Sequence, residues 1–203
     1  MRLGLSLAML PLAACSAEPQ ANPSTNAAAA PSAPQAASPP AQAPAAPVFA
    51  ALAIEGEGLR LLDRDSGAAR PIAFGTAREP VMRALAFRGA AETGSLEECS
   101  AGPLDYASWS DGLTLYFQEG KFVGWAVGRD GGNSGSGGPA IATVAGVGPG
   151  STRAELDSAY AAKVFESTLG TEFAAGDLFG ILDGTRPTSR ITHMWAGASC
   201  NMR

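Results

Sequence analysis

The sequence predicts an α+β fold: two tandem units, each a short helix packed on an antiparallel β-sheet. Three observations point there. First, Gly75-Thr76-Ala77-Arg78-Glu79-Pro80-Val81-Met82-Arg83-Ala84-Leu85 lies over Gly150-Ser151-Thr152-Arg153-Ala154-Glu155-Leu156-Asp157-Ser158-Ala159-Tyr160. Glycine matches glycine, Thr76 matches Ser151 and Arg78 matches Arg153. Second, Val81 and Leu85 match Leu156 and Tyr160, the i and i+4 positions of one apolar helical face. Third, each helix start is followed by β-branched and aromatic segments broken by glycine turns, the mark of antiparallel strands.

The residues ahead of this body read as an address. Arg2 supplies a positive charge, Leu3 to Leu12 is an uncharged apolar run, and Leu12-Ala13-Ala14-Cys15 follows. That is a secretory signal with a small-residue cleavage site. The cleavage site ends in a cysteine and resembles the lipobox of bacterial lipoproteins. In that family the cysteine thiol is acylated and becomes the new N-terminus. The apolar run is about ten residues, half of the roughly 20 that a membrane-crossing helix needs. A retained span is therefore not expected. The resemblance implies a diacylglyceryl group and an N-acyl chain such as palmitate on Cys15, and two or more chains anchor stably. Ser16 after the cysteine leans toward the outer membrane, with the body in the periplasm.

Residues 1–14 are thus read as signal peptide and 15–50 as the lipidated cysteine with its stalk. From Ser16 to Phe49 the chain is almost wholly Ala, Pro, Ser, Gln and Asn, with Glu18 its one charge. So little apolar bulk does not offset the entropy of ordering. Its prolines favour extended backbone, with an upper reach of ~100 Å at about 3.1 Å per residue.

The body, residues 51–203, divides into halves at about 51–130 and 139–203. A hairpin opens it: Leu59 to Leu62, a turn at Asp65-Ser66-Gly67, then Arg70 to Phe74. The first helix starts with Thr76 and Glu79 as a capping box and Pro80 in its first turn. Strands are expected at Asp105 to Trp109, Leu113 to Phe117 and Lys121 to Val127, the last two joined at Glu119-Gly120. Gly131 to Gly138 reads as a flexible linker between the halves. The second helix is capped by Ser151 or Thr152, with Glu155 as box partner of Thr152. Lys163 to Ser167, Leu178 to Leu182 and Arg190 to Trp195 follow as strands, with a turn at Asp183-Gly184. Trp125 and Trp195 stand at similar places in the two halves.

The Gly-[Ser/Thr]-x-Arg helix starts and the element order, over roughly residues 72–200, resemble two groups. One is the outer-membrane assembly lipoproteins of the SmpA/OmlA type. The other is the tandem β-lactamase-inhibitor-protein fold. Gly112-Leu113-Thr114-Leu115-Tyr116-Phe117 and Trp195-Ala196-Gly197 are also similar to small lipoproteins of sphingomonad-type alphaproteobacteria. Some of those carry dehydrogenase-type names, and the residues here weigh against that chemistry. Gly146-Val147-Gly148-Pro149-Gly150-Ser151 has Ser151 where a dinucleotide fingerprint needs glycine, and Pro149 removes an amide the phosphates would use.

Charge and cysteine usage narrow the function further. With a formal net charge of −5 and no block of Lys or Arg, the chain is a poor partner for nucleic acid or anionic lipid. No nucleotide cofactor is expected. Three cysteines would leave one over, and Cys15 is that one. Cys99 and Cys200 remain to pair in an oxidising compartment. Glu97 and Glu98 beside Cys99 disfavour a reactive thiolate.

No residue set reaches a named reaction, and catalytic, cofactor and metal sites are expected to be absent. Ser134-Gly135-Ser136-Gly137-Gly138-Pro139 is one step from a protease motif, but Gly135 replaces the aspartate and the one histidine, His193, comes after the serine. His193 shares a strand face with Ile191 and Trp195 in the expected alternation. Glu92, Glu97, Glu98, Asp105 and Asp111 concentrate acid in the first half. Tyr106 and Trp109, if exposed, would anchor a protein interface. The function expected is therefore a non-catalytic, lipid-anchored envelope protein, a periplasm-facing interaction or structural module whose partners are the membrane, through Cys15, and another envelope protein. The alternatives are an envelope hydrolase using acidic residues from Glu97 to Asp111, or a peptidoglycan or glycan binder.

Overall fold

The computed structural model describes residues 49–63, 65–128 and 141–200. The signal peptide, Cys15, the stalk up to residue 48, the linker Gly131 to Gly138 and the protease-like Ser134 to Pro139 lie outside the described residues.

Eleven strands and two α-helices make up the described residues. In chain order they are β1 (Phe49–Glu55), β2 (Gly58–Asp63), β3 (Ala69–Ala73), α1 (Arg78–Ala84), β4 (Glu92–Leu96), β5 (Leu104–Ser108), β6 (Leu113–Gln118) and β7 (Lys121–Gly128). Then come α2 (Arg153–Ala159), β8 (Lys163–Ser167), β9 (Gly170–Ala175), β10 (Leu178–Leu182) and β11 (Ile191–Gly197). Strands β1-β2-β3 form one antiparallel sheet, and β4-β5-β6-β7-β11-β10-β9-β8 form a second sheet of eight strands.

This architecture corrects the α+β expectation. The described residues are mostly β, 49% strand and 12% helical, and they do not divide into two helix-on-sheet units. Two physical reasons account for the difference. β1, β4 and β9 were not anticipated as strands, and they add to both sheets. The halves also merge, because β7 and β11 pair antiparallel from Gly124↔Gly197 to Gly128↔His193. Pairing these apolar strands with each other removes two open edges. The edges that remain are short and carry charge, with Glu92 on β4 and Lys163 and Glu166 on β8.

The helix starts are built alike. The Gly75 N–H donates to the Phe122 carbonyl (2.7 Å), and the Phe122 N–H returns to Thr76 (2.8 Å). In the other half Gly150 donates to Ile191 (2.7 Å), and Ile191 returns to Ser151 (2.8 Å). Each helix therefore leaves from beside the first residues of its half's last strand. Gly75 and Gly150 turn the chain there at φ 88° and 98°, a region that glycine adopts without Cβ strain. The capping differs. Thr152 and Glu155 form the expected box, whereas the first helix is capped at Ala77 with no side-chain bond. Thr76 lies one residue too early and its hydroxyl donates to the Ala73 carbonyl at 2.7 Å. Glu79 pairs instead with Arg83 one turn on.

The core lies on one face of the eight-stranded sheet. Leu113, Leu115, Phe117, Phe122, Trp125 and Val127 from the first half meet Phe173, Leu178, Leu182, Ile191 and Met194 from the second. Over them lie Ile54, Leu59, Leu61 and Ile72 of the small sheet, Val81 and Leu85 from the α1 region and Leu156 of α2. Phe117, Phe122, Phe173 and Trp125 are all fully buried. Burying side chains of this size is worth about 1.5–3 kcal/mol each for phenylalanine and its aliphatic equivalents. The Trp125 indole N–H also donates to the Glu55 carbonyl at 2.9 Å, tying the small sheet to the large one.

Candidate functional site

The second face of the large sheet is the candidate surface. Directly opposed residues on antiparallel strands share a face. One row across the sheet runs Phe165, Glu172, Ile181, His193 and Gly128. The next runs Ala174, Phe179, Trp195, Ala126, Thr114 and Ser108. A third runs Gly197, Gly124, Tyr116, Tyr106 and Gly94. The helices and the small sheet contribute their buried residues to the other face.

In the second half this face is largely apolar, apart from Glu172, His193 and the edge residue Lys163. Phe179 and Trp195 stack with ring centroids 6.3 Å apart and planes 16° from parallel. Ile181, then the buried Glu172, then Phe165 lead toward the β8 edge, where Phe165 is 43% exposed. Trp195 itself is largely covered. The bulge that opens where Ile181↔His193 passes to Leu182↔Ile191 sets which side chains arrive here. It puts Ile191 in the core with Met194 while His193 and Trp195 stay outside. Simple alternation, which places Ile191 beside His193, is corrected on this point. The tryptophans also differ: Trp195 opposes Ala126, and Trp125 opposes Ala196. One step of register places them on opposite faces.

In the first half the same face carries a smaller cluster of Cys99, Leu104 and Tyr116, with Tyr106, Val123, Ala126 and Cys200 packed against it. The two cysteines come within 2.6 Å of each other without a disulfide. Burial pushes the Tyr116 phenol above its ordinary range, and the neighbouring Cys200 and Cys99 sulfurs add to that. Burial likewise pushes the Cys200 thiol up to about 11, reinforced by its hydrogen bond with Cys99.

Neither residue expected to anchor an interface stands free. Trp109 is 6% exposed, belongs to the core, and donates its indole N–H to the Gly89 carbonyl at 3.3 Å. Tyr106 is half-buried, and its ring lies over edge residue Gly94, where a Cβ would fall 2.7 Å from the phenol oxygen. Two phenylalanines among the described residues reach the surface: Phe87, 48% exposed in the turn after α1, and Phe165, on a strand where Lys163 and Ser167 share its face. Glu172 was also missed. It is a fully buried carboxylate on a strand, Gly170–Ala175, too rich in small residues for alternation to reveal.

Of the acidic residues expected together, Glu97 and Asp105 share a cleft, whereas Asp111 and Glu92 lie elsewhere. Ser95, Glu97, Asp105, Gln118 and Glu119 line an open cleft of about 320 Å³ at the β4–β5 edge. Asp105 is committed there. It accepts the Ser95 hydroxyl at 2.6 Å and faces the Arg78 guanidinium at 3.5 Å, which itself lies 5.1 Å over the Phe117 ring. Asp111 pairs with Arg88 elsewhere, and Glu92 sits at the far end of β4. Among the described residues no group of His, Cys, Asp and Glu is placed to hold a metal ion. The glycine turn before α2 is closed on itself: Thr143 takes the Gly146 N–H on its carbonyl (2.8 Å) and the Val147 N–H on its hydroxyl (3.2 Å). No helix among the described residues is long and apolar enough to cross a membrane.

No protein-family model, curated protein or solved structure matches the chain.

Proposed function

We propose that this chain is an exported lipoprotein, anchored through Cys15, whose β-body serves as a non-catalytic interaction module of the cell envelope. One observation carries the interaction reading: the two faces of a single sheet are used differently. One is sealed by helices and the small sheet. The other brings Phe165, Ile181, Phe179 and Trp195 into adjoining rows, with Phe165 substantially exposed. Apolar side chains on an uncovered sheet face, interrupted by the buried Glu172 between Phe165 and Ile181, fit a protein partner better than solvent. The Arg2, Leu3–Leu12 and Leu12-Ala13-Ala14-Cys15 run supports the address, and the Ala/Pro stretch supports a tether.

Acid–base work needs carboxylates available to the substrate; of the three that line the acidic cleft, Asp105 is engaged by Ser95 and Arg78, so the cleft supports a hydrolase less well. The experiment is photocrosslinking in intact envelopes with a photoreactive residue at Phe165 and, as control, at Glu97. A discrete adduct from position 165 alone is the expected result. Adducts from position 97 alone, or from neither, would remove the reading. Mass spectrometry of the mature N-terminus tests the anchor separately, and the expected product begins at an acylated Cys15.

A further inference from the structure

We propose that Cys99 and Cys200 form a disulfide that straps residues 197–200 across the second face of the large sheet onto the β4–β5 loop. The placement follows from how the chain leaves β11. At Gly197 the backbone turns with φ 67°, and the Ala198 N–H donates to the Val123 carbonyl at 2.9 Å. The tail then crosses β7 at Gly124, where a Cβ would fall 1.9 Å from the Ala198 carbonyl oxygen. A Cβ on Gly197 would in turn fall 2.3 Å from the Val123 carbonyl oxygen. Two glycines, one on each segment, let the crossing backbones touch. Past Gly124 the tail reaches Tyr116, and Cys200 arrives beside Cys99 at 2.6 Å. Cys99 belongs to the loop between Leu96 and Leu104, so the bond would span from the exit of β11 to the outer part of the first half-sheet.

Closure is thiol–disulfide exchange with a disulfide-carrying protein or small-molecule oxidant. One cysteine thiolate attacks a sulfur of the oxidant's disulfide and releases the oxidant's other sulfur as thiolate. The second cysteine thiolate then attacks the mixed disulfide, forms the Cys99–Cys200 bond and releases the oxidant's remaining sulfur. The protein loses two electrons and two protons; the oxidant gains them as two thiols. Cys99 is buried and Cys200 only partly so, which makes Cys200 the accessible partner. Once docked, its thiol is pushed up to about 11, by burial first and then by Cys99 beside it.

The test uses the full chain as exported, alkylated under non-reducing conditions and digested with trypsin. The expected product is residues 89–121 joined to residues 191–203, two hydrogens lighter than the sum of the separate peptides and split by reductant. Cys99 and Cys200 recovered alkylated, or either joined to Cys15, would overturn the proposal. A further measurement tests the strap. In a glutathione redox titration, Gly124→Ala should lower the effective concentration of the pair at least tenfold; an unchanged value would mean that the tail does not cross at Gly124. None of these readouts depends on acylation at Cys15 or on a partner for the aromatic face.

Discussion

Ala126 and Trp195 stand directly opposite each other on β7 and β11, and the large sheet is arranged symmetrically about that pair. Gly124 opposes Gly197 on one side, and Gly128 opposes His193 on the other. The shared hydrogen bonds at the helix starts make Phe122 the counterpart of Ile191, so Ala126 is the counterpart of Trp195. Both strands also carry a register shift just after those counterparts, at Val123 and Thr192. The seam between the halves is therefore a local two-fold, built from sequences that share almost no residues along it.

The seam should respond unequally to added methyl groups. Gly124→Ala drives a Cβ into backbone, the Ala198 carbonyl oxygen, and is expected to cost about 1–3 kcal/mol. Gly128→Ala meets the His193 ring at 2.4 Å, a side chain rather than backbone, and should cost less. Urea denaturation midpoints of the two variants give the order; the reverse order would contradict the packing described.

Trp125→Phe removes the indole N–H that the Glu55 carbonyl accepts. Losing a buried partner of this kind is worth about 1–3 kcal/mol, and the smaller ring adds a cavity cost in the fully buried site. Trp195→Phe, on the other face, keeps a ring to stack on Phe179 and is expected to cost clearly less. Equilibrium unfolding of both variants checks the difference.

Thr152→Ala should lose about 1 kcal/mol through the broken cap, while Thr76→Ala, which caps nothing, should lose less. The box also sets a pH dependence. Hydrogen bonds from the Thr152 backbone and hydroxyl hold the Glu155 carboxyl below its ordinary 4.5. A depressed folded-state value means that the stabilisation is present above pH 4.5 and is lost as pH falls through the lowered value. In Thr152→Ala that acid-side loss should shrink, which a series of unfolding curves between pH 6 and pH 3 would read.

Phe165→Ser tests the proposed surface. The side chain is 43% exposed on an edge strand, so stability should move by no more than about 0.5 kcal/mol, the usual range for surface changes. Capture of an envelope partner should fall several-fold. Unchanged capture would argue that the aromatic face is not the contact.

Several elements were legible from residues alone. Lys163–Ser167 and Leu178–Leu182 have the bounds that alternation and flanking turns indicate. The Glu119-Gly120 turn joins β6 to β7 as expected, with Glu119 at φ 51° and Gly120 at 72°. What stayed hidden has physical causes. β4, Glu92-Thr93-Gly94-Ser95-Leu96, is an edge strand held by backbone pairing, with one glycine covered by a tyrosine from its neighbour. Its composition looks like a loop. β1 begins at Phe49, inside the stretch read as stalk, because Phe49-Ala50-Ala51-Leu52-Ala53 continues the alanine-rich composition. The site was less legible still. Which side of the sheet His193, Ile191 and the two tryptophans occupy depends on bulges and a one-step register, which strand periodicity does not encode.

The central position of β11 has a kinetic consequence. β11 follows the other ten strands in the chain, yet it lies in the middle of the large sheet, between β7 and β10. Until it arrives, β7 presents a bare apolar edge and β8-β9-β10 has nothing to join. A chain emerging N-terminus first thus passes through a stage with two unsealed half-sheets, the kind of edge that recruits other chains. Closure waits on contacts about seventy residues apart in sequence, between β7 and β11, and such distant pairings form slowly. The last strand to be delivered is the one that commits the whole sheet.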